Sequence, residues 1–114
     1  MDRNSLNSLA NEIWDTCEEK GWNEDLVLGN AIANMHTEIS EAWEHIREGH
    51  RPNETWVDMD YEGGKPDGFP IELADVIIRV LHTMKYYGID PEDVMRQKMD
   101  YNKTRPYRHG GKAC

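Results

Sequence analysis

Residues 70 to 88 read PIELADVIIRVLHTMKYYG, and this stretch decides the fold. Pro70 is a favoured first helical residue, and Gly88 is a natural stop. Between them Leu73, Val76, Ile77, Val80, Leu81 and Met84 recur at helical spacing and form a broad apolar face. A face this wide predicts a central, heavily buried helix running to Tyr87, which other helices must cover.

Upstream, residues 26 to 48 carry a second helical stripe: Ala31, Ile32, Met35, Ile39, Ala42, Trp43 and Ile46, ending at Gly49. Another helix runs from Asn4 or Ser5 to Lys20, with Leu6, Leu9, Ile13, Trp14 and Cys17 in register and Gly21 after it. Downstream, Asp90 reads as an N-cap, followed by Pro91 at the first helical position and Glu92 and Asp93 in the first turn. Pro106 disfavours helix at Arg105 and so sets the end of this fourth helix. Arg51 to Phe69 is rich in Pro, Gly, Asp and Asn and reads as a long functional or mobile loop without a strand. The expected fold is all-α, a bundle of about four helices forming one domain over residues 1–114. Trp14 and Trp43 are expected in its core, Trp56 in a lid contact with Tyr61, and His36 and His45 on a helix surface or interface.

The formal charge is −9, which argues against general affinity for a nucleic acid polymer. The acid is unevenly placed. Residues 96–114 hold six Lys/Arg against one acid, Asp100, whereas residues 1–95 hold seven Lys/Arg against 21 Asp/Glu. An acidic body with a basic end suits a site holding both a cation and an anion. Cys17 and Cys114 form no disulfide framework, and no apolar run suggests a membrane span or signal peptide. The expectation is a cytoplasmic protein with no membrane partner.

Two matched motifs carry the chemistry: Glu38-Ile39-Ser40-Glu41 and Glu72-Leu73-Ala74-Asp75. A spacing of three places each acid pair on one side of its helix, one turn apart. Glu38 and Glu72 border the apolar stripes of their helices, with Glu41 and Asp75 one step beyond. Packing the two helices together would bring all four acids to one margin of the core. Two carboxylates about 5 Å apart repel by roughly 3 kcal/mol at an effective dielectric of 20, so four must take up protons or a cation. Oxygen ligands favour a hard ion such as Mg²⁺, with Mn²⁺ the alternative. A di-iron bundle would need Glu-x-x-His pairs, and no histidine has Glu three residues before it. Arg79, one turn beyond Asp75, suits either a structural salt bridge or contact with the carboxylates and substrate.

Lys98, Asn102 and Arg105 share one side of the fourth helix and its exit, where they can meet phosphate and hydroxyl groups. The segment 105–112 beyond them suits a disordered end or a flap over a bound triphosphate.

In this order, Glu38-x-x-Glu41, Glu72-x-x-Asp75 and Lys98-x-x-x-Asn102 resemble the MazG-like family of all-α nucleoside triphosphate pyrophosphohydrolases. The phrases Met35 to Ala42 and Lys65 to Asp75 are similar to it as well, and the likeness spans about residues 27–112. The resemblance implies a Mg²⁺-dependent enzyme in which metal-activated water cuts an NTP or dNTP between the α and β phosphates, releasing monophosphate and pyrophosphate. By the same resemblance Glu38, Glu41, Glu72 and Asp75 are catalytic metal ligands, Lys98 and Asn102 contact substrate, and Arg105 does so by a looser match. It also implies a homodimer or homotetramer whose chains complete the site together. Two other readings remain: a nucleotide-binding or regulatory helical oligomer with weak turnover, and a helical oligomerisation module whose acids are merely surface. Base and sugar preference is not legible in the helical periodicity.

Overall fold

A computed structural model describes residues 2–107. Four helices dominate, and their ends follow the local chemistry. In α1 (Leu6–Glu19) the Ser5 hydroxyl caps the helix by accepting from the Ser8 amide. In α4 (Pro91–Lys103) the Asp90 carboxylate accepts from the Asp93 amide at 3.0 Å. Asn7 joins these two helix starts, donating from its amide nitrogen to Glu92 at 2.7 Å and from its side chain to Asp90 at 3.0 Å.

The central pair is α2 (Leu28–Arg47) and α3 (Phe69–Tyr86), which share the most extensive helix contact. His45, near the end of α2, meets Glu72 at the start of α3, while Glu38 meets Arg79 further along, so the helices run antiparallel. α1 packs against α3, and α4 packs against α1.

The segment 51–69 is not strandless, as its composition suggested. Strands β1 (Trp56–Asp58) and β2 (Lys65–Asp67) pair antiparallel, Trp56 opposite Asp67 and Asp58 opposite Lys65. Three-residue strands, one containing Pro66, carry too little alternation to register in sequence. β2 leads into α3 through Gly68, the N-cap residue, at φ 122°. A Cβ there would lie 2.5 Å from the Glu54 carbonyl oxygen, so both the backbone angle and the close approach require glycine.

The apolar stripes divide on packing. Among the described residues the buried hydrophobic side chains are Ala10, Ala42 and Leu81. On α2, Ala42 is buried and Met35 partly so, but Ile32, Ile39 and Trp43 stand exposed along one line, Trp43 to 59%. Trp43 is therefore not core within this chain. Leu73 and Ile77 of α3 are exposed too, so this helix is less buried than the expected heavily buried one. The radius of gyration is 16.6 Å, against about 13 Å for a compact domain of this length. Trp14 is part-buried, stacked on His82 at 5.7 Å and tilted against Tyr86 at 6.2 Å.

Candidate functional site

Packing of α2 on α3 gathers the matched acids. Carboxylate oxygens of Glu38, Glu72 and Asp75 lie within 4.8 Å of one another. Glu38 and Glu72 are buried, Asp75 is half-buried, and Glu41 is exposed at the rim, close enough to bond the Glu72 carboxyl. The arrangement arises because each helix places its first acid inside the α2/α3 seam rather than at its edge.

Burying like charges has a measurable consequence. Burial first, then hydrogen bonds to Asp67, Glu38 and Glu41 and the charge of Glu41, push the Glu72 carboxyl up to about 8. Burial and the Glu38 charge also raise Asp75, against the opposing charges of Arg79 and Lys65. Among the described residues, Glu38 is the one acid of the four bonded to a Lys or Arg: Arg79 reaches its Oε1 with Nε at 3.1 Å and Nη2 at 3.0 Å. Arg79 therefore takes the salt-bridge role and holds one acid of the quartet in place. Carboxylate oxygens gathered this closely are the kind of donors that could hold a hard divalent cation, whose binding would displace the Glu72 proton.

Three neighbours were missed at the sequence level. His45 is not a simple surface residue; its Nε2 lies 3.0 Å from Asp67 Oδ1 and 3.5 Å from Glu72 Oε1, while its Nδ1 is buried without a partner. It sits seven residues after Glu38, two turns along the same face, and that spacing was the available signal. Asp67 belongs to the hairpin. Burial pushes its carboxyl up, but the Gly68 amide, the proton on Glu72 and His45 outweigh this and hold it below its ordinary value. The third neighbour is Lys65, paired opposite Asp58 in β1. Tyr61 first, against a smaller opposing burial effect, then Asp67, Glu72 and Glu41, raise its amine above the ordinary value. It is the only Lys or Arg between Arg51 and Arg79, a clue to its place beside the acids.

Trp56 packs inward rather than serving as a lid. It stacks on His50 at 4.1 Å and meets the edge of His45 at 5.1 Å, bracing the hairpin against the end of α2. His36 is exposed on α2.

The basic side of α4 is not brought to the quartet within one chain. Lys98 lies over the Tyr101 ring at 5.0 Å, and Arg105 lies 6.0 Å from the same ring. Among the described residues, neither they nor Asn102 bonds to the four carboxylates, and Asn102 Oδ1 and Arg105 Nε are buried without partners. The flap expected beyond Arg105 falls largely on residues 108–112, which lie outside the described residues. Among the described residues no helix is long and apolar enough to cross a membrane.

Neither the family models, nor the curated proteins, nor the solved structures give a match to this chain. The geometry itself defines a helical protein with a part-buried carboxylate cluster, flanked on one side by the His45 ring nitrogen.

Proposed function

We propose that the protein is a Mg²⁺-dependent nucleoside triphosphate pyrophosphohydrolase, converting an NTP or dNTP to the monophosphate and pyrophosphate in the cytoplasm. The supporting observation is the convergence of Glu38, Glu72 and Asp75 oxygens within 4.8 Å, with Glu41 at the rim. When bound, Mg²⁺ (or Mn²⁺) supplies charge neutralisation for the phosphates and activation of the attacking water. Glu72 gives up its proton on loading, Arg79 fixes the orientation of Glu38, and Lys65 offers a positive charge to a phosphate at the rim. Lys98, Asn102 and Arg105 are assigned to the triphosphate, with a homodimer or homotetramer completing the site. Supporting that assembly, Ile32, Ile39 and Trp43 on α2 and Leu73 and Ile77 on α3 leave an apolar surface uncovered by the chain itself.

The test is a panel of common and modified nucleotides with Mg²⁺, with products identified so that pyrophosphate release is separated from stepwise phosphate loss. Pyrophosphate is expected from at least one substrate, with turnover lost in Glu41→Gln and Asp75→Asn. Absence of release across the panel refutes the enzyme. A second reading, a nucleotide-binding or regulatory oligomer with weak turnover, draws on the separation of α4 from the quartet. Tight calorimetric binding without hydrolysis would select it.

A further inference from the structure

Asp75 and Arg79 also form one wall of a recess whose chemistry differs from that of the acid cluster. Its volume is about 410 Å³, bordered by the end of α1, the loop after it, the first turns of α2 and the middle of α3. Small-molecule sites occupy roughly 300–1,000 Å³, so this one takes a group of nucleoside size. The α2 ladder fixes its position. Asn30 and Asn34, which line the recess, and Glu38 follow one another on one face, at about 6 Å per turn. The two amides therefore lie one and two turns from the carboxylates, leaving about a sugar's length between recess and acids.

The loop over the recess is anchored. The Asn23 side chain donates to the Trp14 carbonyl at 3.1 Å and to Glu18 at 2.7 Å, and its Oδ1 accepts from His82 Nε2 at 2.6 Å. Held this way, the loop leaves Trp22 63% exposed beside the cavity, with Asp25 on the same wall. Among the described residues, the Trp22, Asp25, Asn30 and Asn34 side chains make no hydrogen bond or ring contact within the chain. An indole face, two amides and a carboxylate line a preformed cavity that opens onto the acids.

We propose that this recess binds the nucleobase and favours bases carrying an exocyclic amine (cytosine, adenine, guanine) over uracil, thymine and hypoxanthine. The inference rests on the nucleotide-hydrolysing reading of the carboxylate site. Trp22 can stack on any base and so contributes affinity without choice. Asp25 contributes the choice, because an ionised carboxylate only accepts hydrogen bonds. An exocyclic amine donates to it. The Watson–Crick edges of uracil and thymine instead flank their single N–H with two carbonyl oxygens, which the carboxylate repels. Asn30 and Asn34 can donate and accept, matching the ring nitrogen or carbonyl beside the amine.

The experiment uses the full chain with Mg²⁺, comparing kcat/KM for dCTP against dUTP and for ATP against ITP. In parallel, calorimetry measures binding of the α,β-methylene analogues, which cannot be cut between those phosphates. A preference of tenfold or more for the amine-bearing member of each pair is expected. Asp25→Asn should reduce it to about threefold or less, and Trp22→Ala should weaken every analogue by on the order of tenfold. Equal use of both members of each pair, or an unchanged ratio in Asp25→Asn, overturns the base site while leaving hydrolysis standing. Selective analogue binding with no cleavage of any natural nucleotide supports the base site and overturns the pyrophosphohydrolase.

Discussion

Replacing Glu72 with Gln should stabilise the cation-free protein at pH 8 and leave it little changed at pH 5. In the fold this carboxyl holds its proton up to about 8, against an ordinary value of 4.5. Between those values the folded chain binds a proton that the unfolded chain has released. The stabilisation is thus fully present below pH 4.5 and is lost as pH rises through 8. The gap corresponds, at about 1.36 kcal/mol per pH unit, to a ceiling of about 5 kcal/mol. Glu41 is exposed and its repulsion is screened by solvent, so about 2 kcal/mol is the working value. Glutamine keeps the shape and a donor without the charge. Thermal melts in EDTA at fixed protein concentration should show Glu72→Gln about 6–12 °C above the parent at pH 8 and within about 2 °C of it at pH 5. Mg²⁺ or Mn²⁺ at pH 8 should raise the parent's melting temperature and not the variant's. Equal melting temperatures at pH 8, or the same offset at both pH values, would refute the account of a like-charge cluster awaiting a cation.

Two further outcomes probe the frame around the site. Gly68→Ala should cost at least 1–3 kcal/mol in urea unfolding, because φ 122° and a carbonyl oxygen 2.5 Å from the new Cβ leave no relaxed position. A loss under about 0.5 kcal/mol would mean that the strand-to-helix turn relaxes freely. The exposed α2 line predicts that the double change Ile39→Lys, Trp43→Lys lowers the oligomeric state in sedimentation while helicity persists; an unchanged mass would place the contact elsewhere.

The helices were legible because their signals are local. The Asp90 cap with Pro91, the Ser5 start and the apolar periodicity of 70–87 each depend on residues within one or two turns. The acid pairs were legible for the same reason, since a spacing of three fixes a helix side without knowledge of neighbours. The hairpin was not, because pairing of Trp56 with Asp67 is a contact across a turn that three-residue strands do not announce. Trp43 shows another limit: periodicity assigns an apolar arc to α2 but not which part α3 covers. Of that arc Ala42 is buried and Ala31, Met35 and Ile46 are partly so, whereas Ile32, Ile39 and Trp43 stand exposed.

The sequence alone determined an all-α chain, two acid pairs each on one helix side, and a basic segment on a later helix. Packing decided the rest. It set Glu38 and Glu72 inside the α2/α3 seam, raised Glu72 by burial among like charges, and brought His45, Asp67 and Lys65 to the acids. It also kept α4 on α1, away from them. Distance and burial between helices depend on crossing and register, which helical periodicity does not encode.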